Sequence, residues 1–315
     1  MFNLIRNEQM KLFLQKSTWI MLILLAALSF FSVLLMKQEN AEKFTADNWQ
    51  EKLQKENKLN EKELKKADEN SDTYNNYLVG TTAVNNYYLK NDIKPVNYGA
   101  WQYVLDAKDF LSVLSLLTII VAAGIVANEY RWGTVKLLLI RPMSRTKILF
   151  SKYLSVLLFA LICLVIYMVV AWLAGAIFVG VDGLNPKVAV YSDGKVLYES
   201  IIGTIFKSYG FKLVTLVMMA TFAFAISTLF KNSALSIGIS IFLMMAGTNI
   251  VYFLANKSWA KYILFANTDL TQYTTGVPIF KGTTLGFSIT VLAVYYIIFL
   301  AVSWFSFAKR DIAGA

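Results

Sequence analysis

Long runs without a charged side chain constrain this chain more than any other feature. Leu285 to Ala308, for example, contains no Asp, Glu, Lys or Arg. An apolar stretch of roughly 18 residues or more reads as a membrane-crossing helix, and the chain has several. Composition agrees: 57% of residues are hydrophobic and 16% charged, against roughly 45–50% and about 25% in a soluble domain. The expected fold class is an all-α polytopic membrane protein with six transmembrane helices. An N-terminal amphipathic interface helix and an extracellular helical insertion between helices 1 and 2 complete it.

One connection orients the rest. Residues 128–147 hold Arg131, Lys136, Arg141, Arg145 and Lys147 against a single acid, Glu129. A basic excess in a short loop marks the cytoplasmic side. The net charge of +10 reads the same way, as basic residues beside spans and anionic lipid, and not as a nucleic-acid surface.

In chain order, residues 1–16 are too charged to span, and Phe2, Ile5, Leu12 and Phe13 cluster on a helical wheel interrupted by Gln9 and Lys16. This predicts a helix along the inner membrane surface. Span 1 is 17–36, uncleaved for want of a small-residue cleavage site. Residues 37–109 then lie outside, with 11 Lys and 13 Asp or Glu. They predict a helical hairpin, one helix within 39–70 and one over 74–89, read as a solvated insertion ahead of a substrate lid or partner-binding cap. Span 2 is 110–127. The 128–147 connection follows, with a short helix over 129–140 ended by Arg141-Pro142, since proline disfavours helix in the residue before it. Ser144 is placed to cap the next helix. Span 3 is 148–181, with Gly175 and Gly180 as candidate bends, and 182–206 is an outer loop. Span 4 is 207–230 and span 5 is 234–254. Residues 255–284 supply short interfacial or re-entrant pieces, span 6 is 285–308, and 309–315 is a cytoplasmic tail. Both termini lie inside, in a bacterial plasma membrane.

Several chemistries lack their residues. There are no histidines and one cysteine, Cys163, so an imidazole base, a His-ligated metal and an intramolecular disulfide are out of reach. The candidate spans hold almost no ionisable groups; Lys207, Lys212 and Asp182 sit at span ends, where snorkelling explains them. A carrier coupled to protons or sodium needs such groups near the midplane. No glycine-rich loop leads into Lys-Ser or Lys-Thr, so no phosphate cradle of the common ATPase type is present. The chain is expected not to be an enzyme and to bind no cofactor or metal. If it moves a substrate actively, a partner must supply the energy, and the 128–147 connection is the sizeable protrusion on which a partner could push.

The stretch Glu129-Tyr-Arg-Trp-Gly-Thr-Val-Lys-Leu-Leu-Leu-Ile-Arg-Pro-Met-Ser-Arg-Thr-Lys-Ile-Leu-Phe-Ser-Lys152 resembles the E-x-R-x-G-T…L-L…P-x-S-R…K signature of ABC-2 type permease subunits, the membrane halves of ATP-binding-cassette exporters. The run from Glu8 to Trp19 into span 1 and the six-span layout are similar to that family as well. The resemblance covers most of the chain except 37–109. It implies a second permease subunit, as homo- or heterodimer, and an ABC ATPase subunit that holds ATP and magnesium. It also implies ATPase coupling through Glu129, Arg131, Trp132, Gly133, Thr134, Arg141, Pro142, Ser144 and Arg145. The implied activity is outward movement of an amphiphilic substrate such as an antibiotic, peptide, lipid or lipid-linked molecule. A rival reading is a non-transporting membrane sensor or scaffold with an extracellular binding insertion.

Overall fold

The structure, a computed structural model, describes residues 1–40, 48–66, 72–134, 143–181, 183–192, 194–230, 232–274 and 278–308. Its elements are α1 (Phe2–Leu14), α2 (Lys16–Asn40), α3 (Trp49–Lys66), α4 (Asp72–Asn91), α5 (Ala100–Ala107), α6 (Leu111–Arg131) and α7 (Arg145–Phe178). There follow β1 (Lys187–Ser192), β2 (Lys195–Ser200), α8 (Ile201–Phe230), α9 (Ser233–Phe253), the single turn α10 (Leu264–Asn267) and α11 (Leu285–Ala308). Six helical stretches among the described residues are long and apolar enough to cross a membrane: α2, α5 with α6, α7, α8, α9 and α11. The protein is a multi-pass membrane protein.

The helix of span 2 starts earlier than the hydropathy suggests. The α5 helix, a 3-10 turn at Lys108–Phe110 and α6 form one stretch, Ala100–Arg131. Asp106, Lys108 and Asp109 hide this in the sequence. The face made by Ala100, Tyr103, Val104 and Ala107 is nevertheless buried. Likewise α8 begins at Ile201, because Ile201, Thr204, Ile205 and Tyr209 form a buried stripe around the exposed Lys207. The candidate loop at 182–206 is corrected in a second respect. It carries an antiparallel hairpin, β1 on β2, with Ser192 opposite Lys195. Among the described residues the fold is therefore helical with one small sheet.

Two helices are central. α6 packs on α8; α11, α9 and α7 pack against that pair, and α2 lies against α7. Hydrogen bonds between spans secure the packing. Ser227 Oγ donates to Ala123 O at 2.6 Å and accepts from Ala127 N, joining α8 to α6. Tyr153 OH bonds Thr221 Oγ1 at 2.8 Å and donates to Tyr296 OH at 3.0 Å, joining α7, α8 and α11. Tyr103 OH donates to Ser29 O at 2.5 Å and lies 2.8 Å from Ser32 Oγ, tying α5 to α2. Bonds of this kind average about 0.6 kcal/mol in membrane proteins. Tyr103→Phe should therefore lower stability by about 1 kcal/mol, measured as a fall in the thermal midpoint of the purified protein; an unmoved midpoint would remove Tyr103 from the α2–α5 seam.

Neither candidate bend interrupts α7, which is one unbroken helix of 34 residues. A Cβ on Gly175 would lie 2.8 Å from Ala100 Cα, so this glycine lets α5 and α7 touch backbone to backbone. Gly180 follows the helix end at φ 104°, and its carbonyl accepts from Ala100 N at 2.9 Å.

At the same end of the bundle, α3 and α4 form an antiparallel hairpin. Its seam is largely amide: Asn57 Nδ2 donates to Asn86 Oδ1 and Asn85 Nδ2 to Asn57 Oδ1, beside the buried Leu53 and Leu78. α4 rests on β1, where Tyr88 OH accepts from Ala189 N at 2.8 Å. We refer to the α3–α4 hairpin and the β-hairpin together as the cap.

Candidate functional site

The segment singled out by its motif lies at the opposite end from the cap. Glu129, Tyr130 and Arg131 are the last turn of α6 rather than the start of a separate helix, and Trp132 to Thr134 form a turn. Gly133 has φ 70°, a left-handed conformation that glycine adopts without strain, and it ends the helix as C-terminal glycines commonly do. A Cβ there would meet nothing within 4 Å, so Gly133 serves the backbone turn and not a close approach. The remainder of the expected short helix, 135–140, together with Arg141 and Pro142, lies outside the described residues, as does the tail 309–315. Ser144 caps α7, its Oγ accepting from Lys147 N. Arg145 Nη1 donates to Ala308 O at 3.2 Å and links the start of α7 to the end of α11.

Glu129 does not face outward as a docking charge. Its carboxylate turns into the bundle and meets Lys152 Nζ at 2.9 Å. Lys152 is 2% exposed and makes a second ion pair, 2.8 Å, with Glu8 of α1. Lys11 closes the cluster from its rim, 3.0 Å from Glu8 and 3.4 Å from Glu129. Thr134 Oγ1 donates to the Glu129 carboxylate, which secures the turn after α6. Among the described residues, two carboxylates and two ammonium groups balance. Burial works against the Lys11 ammonium, but the two carboxylates outweigh it and hold its pKa above the ordinary lysine value. Such buried ions are tolerated only when paired and hydrogen-bonded.

The partner element is α1, and its inward face differs from the apolar wheel face. Glu8 and Leu12 are buried, while Phe2 is exposed. Gln9, which interrupts the apolar face, donates to Ser155 O of α7 at 2.6 Å. Phe13 packs on Phe159 with ring centroids 5.7 Å apart. A sharp turn at Gln15 leads into α2, where Thr18 Oγ1 donates to Leu12 O and Trp19 Nε1 to Phe13 O. The helix is therefore fixed to α7 along its length and to α6 through ions. Arg131 and Trp132, by contrast, project outward, Trp132 at 62% exposure. They flank a cavity of about 290 Å³ bounded also by Thr18, Gly124, Asn128 and Ile237.

Of the nine motif residues, the structure joins Glu129 and Thr134 in the cluster, exposes Arg131, Trp132 and Gly133, and uses Ser144 and Arg145 to hold α7. Pattern reading missed the pairing of Glu8 with Lys152. The available signal was a lysine seven residues into an apolar helix, which requires a buried acid. Among the described residues no group of three or more His, Cys, Asp or Glu side chains converges as metal ligands would.

Comparison with known proteins finds relatives that match most of the chain. It is 43% identical to "Uncharacterized protein YhcI" of Bacillus subtilis (strain 168), over the full length of both. It is 35% identical to "Uncharacterized membrane protein YdbK" of the same organism, over 64% of this chain and 78% of that one. Residues 72–313 match the family model described as "Protein of unknown function (DUF2705)", more than half of the sequence, and the chain belongs to that family.

Proposed function

We propose that this protein is the permease subunit of an ABC-2 type exporter. In this reading it pairs with a second permease subunit and is driven by a separate ATPase that holds ATP and magnesium. The cluster end of the bundle faces the cytoplasm and the cap faces outward, in a bacterial plasma membrane. The substrate is amphiphilic and leaves the cell.

The observation that carries the reading is the Lys152 cluster. A motor outside the membrane must push on something that does not yield. Glu8, Glu129 and Lys152 bind α1, the end of α6 and the start of α7 into one body. Arg131 and Trp132 stand on the exposed side of that body. A displacement applied at Trp132 is then shared by three helices instead of being absorbed by one loop. Trp132 is the docking knob, and the ion cluster stiffens the platform beneath it.

The test is nucleotide turnover in the complex that co-purifies with the full chain under mild detergent. Trp132→Asp places a charge at an exposed position without disturbing the buried ions. The variant should insert normally and lose the ATPase or its coupled turnover by about ten-fold or more, since a hot-spot aromatic typically contributes at least 2 kcal/mol. A wild-type sample with no ATPase would leave the reading without its motor and favour the sensor or scaffold. An ATPase unaffected by Trp132→Asp would move the docking site elsewhere.

A further inference from the structure

A cleft of about 670 Å³ lies at the other end, between the cap and the spans. One wall is α4 and β1, presenting Tyr77, Val84 and Tyr191; the other is the outer end of α9 with residues 265–272 and Ile279, presenting Tyr252, Phe265 and Ile279. We propose that this cleft binds an uncharged amphiphile, its apolar body against Val84, Phe265 and Ile279 and its hydroxyl- or ether-bearing head on the tyrosine phenols.

Three observations support this. The volume lies within the usual range for small-molecule sites, which are mostly apolar with a few placed polar groups. Two of its aromatic rings are seated on glycines, which keeps the space open. A Cβ on Gly80 would lie 3.0 Å from the Tyr191 ring, and one on Gly247 would lie 2.3 Å from Phe265. A side chain at either position would have to displace a ring that lines the cleft.

The polar character points to an uncharged head. Asp269 is the one charged residue in the lining among the described residues, and its carboxylate is already engaged. It meets Lys212 Nζ at 3.2 Å and accepts from Thr271 N and Oγ1 at 3.1 and 2.6 Å. The hydroxyls of Tyr77, Tyr191 and Tyr252 make no hydrogen bond among the described residues and remain for a ligand. An anionic head would gain no unpaired cation here, and a cationic one would compete with Lys212. Access is from the bilayer boundary, because Tyr252 and its neighbour Phe253 at the end of α9 are exposed, Phe253 at 87%. An aromatic pair of this kind suits the membrane–water interface.

The ligand class follows from the cleft lining and does not depend on coupling to an ATPase. A chain without a motor could still bind here, and an empty cleft would leave the Trp132 experiment untouched. The test uses the full chain in lipid nanodiscs with a diazirine-bearing monoacylglycerol, and its phosphatidylglycerol counterpart as the anionic comparison. Cross-linked residues are mapped by mass spectrometry. Labelling should concentrate on 77–84, 189–191 and 248–252, saturate with unlabelled monoacylglycerol, and fall about ten-fold, the equivalent of ~1.4 kcal/mol, in Val84→Trp and Ile279→Trp. These variants fill the cleft from opposite walls, so one suffices if the other folds poorly. Labelling spread evenly over lipid-facing positions such as Val165, and unchanged in both variants, would overturn the site. Stronger labelling of the cleft by the anionic probe would overturn the uncharged class.

Discussion

Replacing Lys152 with methionine is expected to cost about 3–5 kcal/mol of stability, the range for removing one partner from a buried ion pair. The loss comes less from the missing attraction than from what stays behind. Glu8 and Glu129 would keep their carboxylates in a site where each side chain is about a tenth exposed, with the half-exposed Lys11 as the remaining cation beside them among the described residues. The check is thermal unfolding of purified protein, followed by fluorescence-detected size exclusion. A triple variant, Lys152→Met with Glu8→Leu and Glu129→Leu, should recover most of the loss, because apolar replacements of a whole buried cluster are often neutral. A single variant as stable as the wild type would mean that the cluster does not hold α1. Lys11 adds a pH signature. Its folded pKa is raised, so its contribution is complete below its unfolded value of about 10.5 and disappears as pH climbs through the folded one. Alkaline titration should therefore loosen α1.

Gly175→Leu is the second large effect expected. Overpacking commonly costs 1–3 kcal/mol, and this site should reach or exceed about 3. The obstacle is Ala100 Cα at 2.8 Å, with the Ala100 carbonyl and Cβ both at 3.3 Å. A backbone atom cannot rotate aside as a side chain can, so α5 and α7 must separate. Gly175→Ala should cost less, and adding Ala100→Gly should restore only part of it, since the nearest atom remains. Gly210→Ala in α8 is the control: nothing lies within 4 Å of the added methyl, and the change should be neutral or stabilising by up to about 1 kcal/mol. Equal thermal midpoints for Gly175→Leu and Gly210→Ala would show that the α5–α7 contact is not close.

Hydropathy makes the apolar helices legible because lipid demands them; the uncharged run ending at Ala308 is one whole helix. It is blind where a helix continues into mixed composition. Asp106, Lys108 and Asp109 concealed α5, and Lys207 concealed the first turns of α8, since a hydropathy average cannot show that charges lie on one face. The β-hairpin left a readable trace. Asp193-Gly194 between Val- and Tyr-containing runs is a strong hairpin signal, but two strands of six residues are lost in a reading tuned to spans. The site was half legible. The motif located the end of α6 and the start of α7, yet it gave no sign that Glu129 turns inward, because a sequence displays charge without displaying its partner. That partner lies 23 residues on, and Glu8 lies 144 residues before Lys152. The cleft under the cap had no linear signature, since α4, β1, α9, residues 265–272 and Ile279 meet only in the fold.

The continuity of α7 has a mechanical meaning. At about 1.5 Å per residue, its 34 residues make a rod of roughly 51 Å, well over the roughly 30 Å of hydrocarbon in a bilayer. One end is clamped by Lys152, and the other presses on Ala100 through Gly175. A rod without a joint behaves as a lever. A tilt of about 5° sweeps its far end by roughly 4 Å over that length, more than the width of a water molecule. Movement begun at the ion cluster would thus arrive beneath the cap as displacement, with no signal passed from residue to residue.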